Sequence, residues 1–97
     1  MSIEGKVAII TGASSGIGYA TALALSKAGV KVAIGARRTD KLEQLENEIK
    51  KNGGDVLSQK LDVTKKADCN AIVDQTIKKW GTVDIFCLLY TSDAADE

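Results

Sequence analysis

A glycine-rich turn is the part of this chain whose residue types and spacing best fit a chemical role. Glycines stand at positions 12, 16 and 18, directly after the apolar run at residues 7–10. Glycine lets the backbone turn tightly and lets a phosphate approach without a Cβ in the way. A helix that begins in such a turn offers free N–H groups and the positive end of its dipole to the phosphate. The pattern therefore predicts a site for a nucleotide cofactor.

The rest of the composition excludes several other kinds of site. The 97 residues include no histidine, and Cys69 and Cys87 lack the spacing of a metal site or a redox motif. We therefore expect no metal site and interpret both cysteines as reduced thiols of a cytoplasmic protein. The 13 basic and 13 acidic residues cancel, which argues against a nucleic acid or an anionic membrane as partner. No apolar run is long enough to cross a membrane. Residues 1–6 contain no apolar h-region, so we expect no secretory signal.

Alternating strands and helices must position the glycine turn. Short apolar runs predict strands at residues 6–11, 30–35, 55–61 and 82–89. Segments with helical periodicity lie between them, at residues 17–28, 40–51 and 65–80. This alternation predicts an α/β fold with a parallel sheet and helices on both of its faces. The third strand is more polar than the others and is expected near an edge. No domain boundary is expected within residues 1–86.

Each helix carries predictions of its own. The first helix is expected to end at Gly29 and to pack through a stripe of small residues, namely Ile17, Ala20, Ala24 and Ala28. The second is expected to begin at Asp40, with Glu43 completing a capping-box-like pair, and to bury Leu42, Leu45 and Ile49. The third is expected to have Thr64 as its N-cap, to stop at Gly81 and to bury Ile72, Val73, Ile77 and Trp80.

The glycine spacing separates this turn from two commoner phosphate-binding motifs. Gly12, Gly16 and Gly18 give G-x-x-x-G-x-G, whereas the common dinucleotide fingerprint is G-x-G-x-x-G and the P-loop needs a lysine after its last glycine. With a threonine in front, the turn resembles the cofactor motif of the short-chain dehydrogenase/reductase family. The resemblance extends over residues 6–86 and includes the segments Ala36-Arg37-Arg38 and Asp62-Val63. It implies a Rossmann-like doubly wound sheet, βαβαβαβ, with strand order 3-2-1-4, truncated after the fourth strand.

The resemblance implies a role for most residues of the turn. Gly12 would permit the turn, Gly16 would let the phosphates approach, and Gly18 would let the helix pack closely on the strand. Backbone N–H groups or hydroxyls would be presented to the cofactor by Ser14, Ser15 and Ile17. Thr11 would tie the turn to a neighbouring strand. The alternative is a turn that merely needs glycines, with both serines solvated.

The stretch after the second strand bears on the choice of cofactor. An acidic residue here binds the 2′-hydroxyl of NAD and repels the 2′-phosphate of NADP. Members of the family that prefer NAD usually carry that acid where Ala36 stands, and members that prefer NADP carry a basic residue where Arg37 stands. A guanidinium can hold a phosphate through two hydrogen bonds, and Arg38 could add charge or stack on the adenine. The resemblance thus implies NADP(H) in preference to NAD(H); the alternative is a solvated pair of arginines that can pair with Asp40.

The segment Asp62-Val63 follows the third strand. In the family, the aspartate here accepts a hydrogen bond from the adenine amino group, and the next backbone N–H meets a ring nitrogen. An aspartate in front of Thr64 can also form a turn or cap a helix, and both roles can hold together.

The chain departs from the family pattern after Phe86. The family continues with a valine and then Asn-Asn-Ala-Gly, whereas residues 87–97 read CLLYTSDAADE. One reading frame of a common transposase-based sequencing adapter translates to this string. We therefore expect residues 87–97 to be adapter read-through on a truncated gene, a hypothesis that the nucleotide sequence tests. A divergent natural C-terminus is the alternative.

The family's catalytic tyrosine and lysine, spaced Y-x-x-x-K, have no counterpart in this chain. Tyr19 is followed four positions later by Leu23, and Tyr90 by Ala94, so we assign no catalytic residue. The resemblance implies the cofactor-binding part of an oxidoreductase that transfers hydride between NADP(H) and a small carbonyl or alcohol. Full-length relatives are expected to be homo-oligomers. The alternatives are a non-catalytic dinucleotide-binding module and an epimerase or dehydratase of the extended branch, whose usual T-G-x-x-G-x-x-G spacing differs from the spacing here.

Overall fold

In the part of the chain that the structure describes, four parallel strands form a sheet in the order β3-β2-β1-β4. A computed structural model describes residues 3–13, 16–62 and 64–87. Along the chain the elements are β1 (Val7–Thr11), α1 (Gly16–Lys27), β2 (Lys31–Ala36), α2 (Thr39–Lys51), β3 (Val56–Lys60), α3 (Lys66–Trp80) and β4 (Ile85–Cys87). Topology and strand order confirm the predicted Rossmann-like α/β fold. The element limits differ from the predicted ones by up to three residues, and residues 88–89 of the predicted fourth strand lie outside the described residues.

The two central strands bury both faces, which is why they read as continuous apolar runs. Alternate residues point to opposite sides of the sheet. Ile10 and Ile34 lie in the core under α1 and α2, whereas Ile9 and Ala33 lie in the core under α3. Within the described residues, β3 pairs with β2 alone and is less buried, which confirms its predicted place at an edge.

The predicted packing stripe of α1 is wrong. Ile17, Ala20, Ala24 and Ala28 are all exposed, and the buried residues are Gly18, Ala22 and Ser26. Small and apolar residues surround this helix, so the sequence pattern does not define which side packs. The contact of Gly18 with the preceding turn sets the rotation of the helix instead, because a Cβ at Gly18 would collide with the carbonyl oxygen of Gly12.

Gly29 ends α1 as predicted, in a Schellman motif. Its φ is +91°, and its N–H donates to the Ser26 carbonyl at 3.0 Å. The N–H of Val30 donates to the Leu25 carbonyl, also at 3.0 Å. The left-handed backbone at Gly29 therefore turns the chain directly into β2.

The helix α2 buries its predicted face but begins one residue earlier than predicted. Leu42, Leu45 and Ile49 are buried, as expected. The expectation that Asp40 caps the helix is wrong, because Arg38 occupies the N-cap position and makes no side-chain cap hydrogen bond. Asp40 lies in the first turn instead, where its negative charge interacts favourably with the positive end of the helix dipole.

The helix α3 differs from prediction on its buried face and at its start. Ile72 is buried as predicted, and Val73 and Trp80 pack against the same core. Ile77, which was expected to be buried, is 46% exposed, and its neighbour Thr76 is fully buried instead. The hydroxyl of Thr76 donates to the Ile72 carbonyl at 2.6 Å, so this polar side chain is satisfied within its own helix.

The end of α3 agrees with the prediction and its start does not. The N-cap is Lys65 rather than the predicted Thr64, and it makes no side-chain cap bond. Gly81 ends the helix with a φ of +83°, as predicted.

In the part of the chain that the structure describes, no helix has both the length and the apolarity needed to cross a membrane.

Candidate functional site

Three turns lie next to one another at the carboxyl edge of the sheet. The register places Thr11 of β1 beside Gly35 of β2, and Ala36 of β2 beside Lys60 of β3. Neighbouring strands are about 4.8 Å apart, so the turns after β1, β2 and β3 lie along a line of about 10 Å. Open parallel sheets bind ligands at this edge, where the strand order reverses. That point here is β1, between β2 and β4.

The turn after β1 is held tightly against α1. Gly12 has a φ of +67°, a conformation that glycine adopts without strain. A Cβ at Gly18 would lie 3.0 Å from the Ala13 Cα as well as against the Gly12 carbonyl. The N–H of Ala13 donates to the Gly35 carbonyl at 3.1 Å. The helix therefore approaches the turn as closely as predicted for Gly18, and β2 holds the turn from the other side.

On its outer side, the described residues leave this turn open. Among them, no atom lies within 4 Å of a Cβ placed at Gly16, and Ile17 is 70% exposed. Thr11 is buried, and its hydroxyl donates to the Cys87 carbonyl of β4 at 3.4 Å. This bond confirms the prediction that Thr11 ties the turn to a neighbouring strand. Ser14 and Ser15 lie outside the described residues.

Two exposed arginines follow β2. The Arg38 guanidinium lies 3.5 Å from an Asp40 carboxylate oxygen, with half or more of each side chain exposed. Arg38 therefore pairs with Asp40, as the alternative prediction for the arginines had it. Exposed ion pairs of this kind contribute little stability. Arg37 is close enough to Asp62 for its charge to help lower the pKa of that carboxyl. The charge of Arg37 therefore acts on the turn after β3 as well as on its own turn.

Asp62 organises the turn after β3. Its Oδ1 accepts a hydrogen bond from the Thr64 hydroxyl at 2.7 Å and another from the Thr64 N–H at 3.0 Å. These bonds, the hydroxyl first, hold the pKa of Asp62 below its ordinary value, because they stabilise the charged form. The predicted turn-forming role of Asp62 is confirmed. Val63 lies outside the described residues.

Sequence reasoning missed one residue of this region, Asp68 in the first turn of α3. Its Oδ2 accepts a hydrogen bond from the Asp62 N–H at 3.0 Å. An acidic residue at the third helical position is the signal that could have revealed it, since such side chains commonly reach back to N–H groups that precede the helix.

A groove between α1 and α2 adjoins the glycine turn and was not anticipated either. It encloses about 480 Å³ and is lined by Gly16, Tyr19, Ala20, Leu23, Lys41, Gln44 and Glu48. The Tyr19 hydroxyl donates to the Glu48 carboxylate at 2.7 Å. Burial and this carboxylate raise the pKa of Tyr19. The bond links α1, which begins at the glycine turn, to α2.

Across residues 3–13, 16–62 and 64–87, no group of three potential metal ligands comes together.

Comparison with known proteins gives consistent matches over most of the chain. A family model described as short chain dehydrogenase matches residues 6–88. An uncharacterised oxidoreductase of Listeria monocytogenes is 49% identical over 88 residues, which are 91% of this chain and 36% of that protein. The chain therefore spans little more than a third of this relative.

Two solved structures show the same likeness in three dimensions. An alcohol dehydrogenase from the archaeon Thermococcus sibiricus, complexed with 5-hydroxy-NADP, is 40% identical with a TM-score of 0.78. The match covers 84% of this chain and 35% of that one. A short chain dehydrogenase/reductase from Burkholderia phymatum in complex with NAD is 29% identical with a TM-score of 0.85. Here the match covers 89% of this chain and 31% of the other.

Proposed function

Because the chain belongs to the short-chain dehydrogenase family, we propose that it binds the adenosine half of NADP(H) within an oxidoreductase. The observation that carries the proposal is the close approach of Gly18 to the backbone of Gly12 and Ala13. That approach holds the first turn of α1 at the carboxyl end of β1. A helix start in this position can bind phosphate through its N–H groups and its dipole.

Each of the three turns would bind one part of the cofactor. The turn after β1 would bind the diphosphate through Gly12, Ser14, Ser15, Gly16, Ile17 and Gly18. The turn after β2 would bind the 2′-phosphate through Arg37, with Arg38 beside it. The turn after β3 would bind the adenine through Asp62 and Val63. The order of the strands supports this division, because adjacent turns would meet adjacent parts of the dinucleotide.

The preference for NADP(H) over NAD(H) rests on the charges after β2. Ala36 is buried and carries no carboxylate that could bind a ribose 2′-hydroxyl or repel a phosphate. Arg37 is exposed and presents a guanidinium suited to a phosphate. One solved relative holds a derivative of NADP and another holds NAD, so the family accommodates both and the residues of each chain decide.

The nicotinamide of the bound cofactor would supply hydride to a small carbonyl substrate or accept it from an alcohol. The residues of this chain would bind and orient the cofactor, and none of them is proposed to exchange a proton with the substrate. We further propose that the full-length protein acts in the cytoplasm as a homo-oligomer.

A second candidate function is a module that binds the dinucleotide without catalysis. The spacing of the tyrosines favours it, since neither Tyr19 nor Tyr90 has a lysine four positions later. A turnover assay with NADPH and a panel of small aldehydes and ketones separates the two functions. Oxidation of NADPH by the full-length protein would contradict the second function, whereas binding without turnover by the full-length protein would support it.

Titration of the chain with NADPH and NADH, followed by cofactor fluorescence, tests the cofactor assignment. We expect NADPH to bind at least tenfold more tightly, because a charge-assisted pair with a phosphate contributes about 1.5–3 kcal/mol. Arg37→Asp should remove that preference or reverse it toward NADH. Equal affinity of the parent chain for both cofactors, or tighter binding of NADH, would contradict the proposed preference.

A matched control separates local recognition from total charge. Lys51→Asp changes the net charge by the same amount as Arg37→Asp, and Lys51 is an exposed residue at the opposite end of α2. The ratio of the two affinities should stay at its parent value in this variant. If both substitutions changed the ratio equally, general electrostatic attraction would explain it and the role of Arg37 would fail.

A further inference from the structure

The backbone of Asp62 is held on both sides by hydrogen bonds. Its N–H donates to the Oδ2 of Asp68 at 3.0 Å, and its carbonyl accepts from the Lys65 N–H at 2.9 Å. The preceding residue, Leu61, donates its N–H to the Ala36 carbonyl at 2.9 Å. Leu61 is therefore held by β2, and the next residue, Asp62, is held by the Asp68 carboxylate.

The side chain of Asp62 is held as well. Oδ1 accepts both the hydroxyl and the N–H of Thr64, so Oδ2 is the oxygen that a ligand donor would meet. A side chain whose backbone and one carboxylate oxygen are fixed has lost most of its conformational freedom before any ligand arrives. Groups arranged in this way bind with less loss of entropy and with stricter geometry.

The Asp68 carboxylate joins this arrangement to α3 through a side chain. It is half-buried and lies at the third position of α3. Its carboxylate also favours the positive end of the helix dipole. The position of Asp62 relative to the sheet therefore depends on where α3 lies, with the Asp68 carboxylate as the link.

We infer that Asp68 is a positioning residue, which acts through Asp62 to direct its carboxylate at a hydrogen-bond donor on the purine base of the cofactor. The inference rests on the proposed function, because it takes the turn after β3 as the adenine site. It adds that discrimination between purines depends on a residue that does not touch the ligand. An adenine 6-amino group donates to a carboxylate, whereas the 6-oxo group of hypoxanthine does not.

The test compares NADPH with its deamino analogue, in which hypoxanthine replaces adenine. The measured quantity is the ratio of the two dissociation constants, analogue over NADPH. For the parent chain we expect a ratio of roughly ten to a hundred, the range of a hydrogen bond to a charged group. Asp68→Ala should reduce the ratio to less than three, while Asp68→Asn, which keeps an oxygen acceptor, should retain most of it.

Two control variants accompany these. Asp62→Ala should abolish the discrimination directly. Asp74→Ala removes an exposed carboxylate from the same helix and should leave the ratio at its parent value. If Asp68→Ala weakens both cofactors equally and leaves the ratio unchanged, Asp68 is only structural and the inference is overturned.

A measurement on the parent chain guards against a variant that fails to fold. The scalar coupling across the hydrogen bond, between the amide nitrogen of Asp62 and the carboxyl carbon of Asp68, should be detectable by NMR. Its absence in a folded sample would also overturn the inference. The two proposals fail in different ways. A parent chain that binds neither dinucleotide contradicts the proposed function, whereas tight binding with a ratio near one contradicts only the purine contact.

Discussion

At the scale of single residues, Asp62 shows how hydrogen bonds within one turn hold a carboxylate and lower its pKa. Its pKa is lowered from an ordinary value of 3.8, first by the Thr64 hydroxyl and then by the Thr64 N–H. Arg37 and Lys65 add smaller effects in the same direction. A carboxyl with a lowered pKa is fully ionised at neutral pH and is therefore ready to accept a hydrogen bond.

Replacing Thr64 tests this account. Thr64→Ala removes the hydroxyl, so the pKa of Asp62 should rise toward 3.8; a pH titration followed by carboxyl ¹³C NMR measures it. A lowered folded pKa stabilises the fold above the unfolded pKa, and that contribution is lost as the pH falls through the folded pKa. The variant should therefore lose stability at pH 7 and show little difference from the parent below the folded pKa. An unchanged Asp62 pKa would contradict the role given to the hydroxyl.

At the scale of elements, α1 is placed by a single residue without a side chain. Gly18 meets the backbone of Gly12 and Ala13, whereas the open side of the turn begins at Gly16 only two positions earlier. The same helix therefore has one glycine required for packing and another beside open space. Substitutions at these two glycines can therefore distinguish what the fold requires of the turn from what a bound ligand would require.

Alanine at each of these glycines should give opposite results. Gly18→Ala forces backbone atoms apart and should cost about 1–3 kcal/mol of unfolding free energy, as overpacking does. Gly16→Ala has room for the methyl group and should leave stability within about 0.5 kcal/mol, yet weaken NADPH binding where the phosphates approach. Urea denaturation and cofactor titration measure the two effects. Equal destabilisation by both substitutions would contradict this account.

At the scale of the whole molecule, β4 forms an edge of the sheet that the structure describes. Among the described strands it pairs with β1 alone. Asp84 holds its start by accepting the Val7 N–H at 2.9 Å and donating its own N–H to the Val7 carbonyl. Phe86 is 45% exposed on this edge. An apolar edge strand can pair with other chains, so we expect the chain to associate with itself through β4.

A charge on this edge should reduce that association. Phe86→Lys places a positive charge on the edge, a change that blocks edge-to-edge pairing in natural sheets. Light scattering at increasing protein concentration should show a smaller average mass than for the parent chain. Ile3→Lys, a matched change at an exposed residue before β1, should leave the mass unchanged. Equal loss of association in both variants would indicate general charge repulsion instead.

Much of the fold and the outline of the site follow from the sequence by itself. The alternation of apolar runs and helical segments determines the parallel α/β architecture, because strand and helix periods are local properties. Glycines 12, 16 and 18 predict a phosphate-binding turn for a similar reason, since their lack of a Cβ has consequences that do not depend on the rest of the fold. Leu42, Leu45 and Ile49 were assignable to the core because polar residues surround them.

The tertiary structure alone decided which side of each helix packs when the pattern was ambiguous. The stripe of α1 lies at Gly18, Ala22 and Ser26 because a backbone contact sets the rotation of an otherwise uniformly small helix. Thr76 replaces Ile77 in the core because its hydroxyl can be satisfied by its own helix. The link between Asp62 and Asp68 depends on where α3 begins relative to β3, a relation between elements that no local pattern encodes.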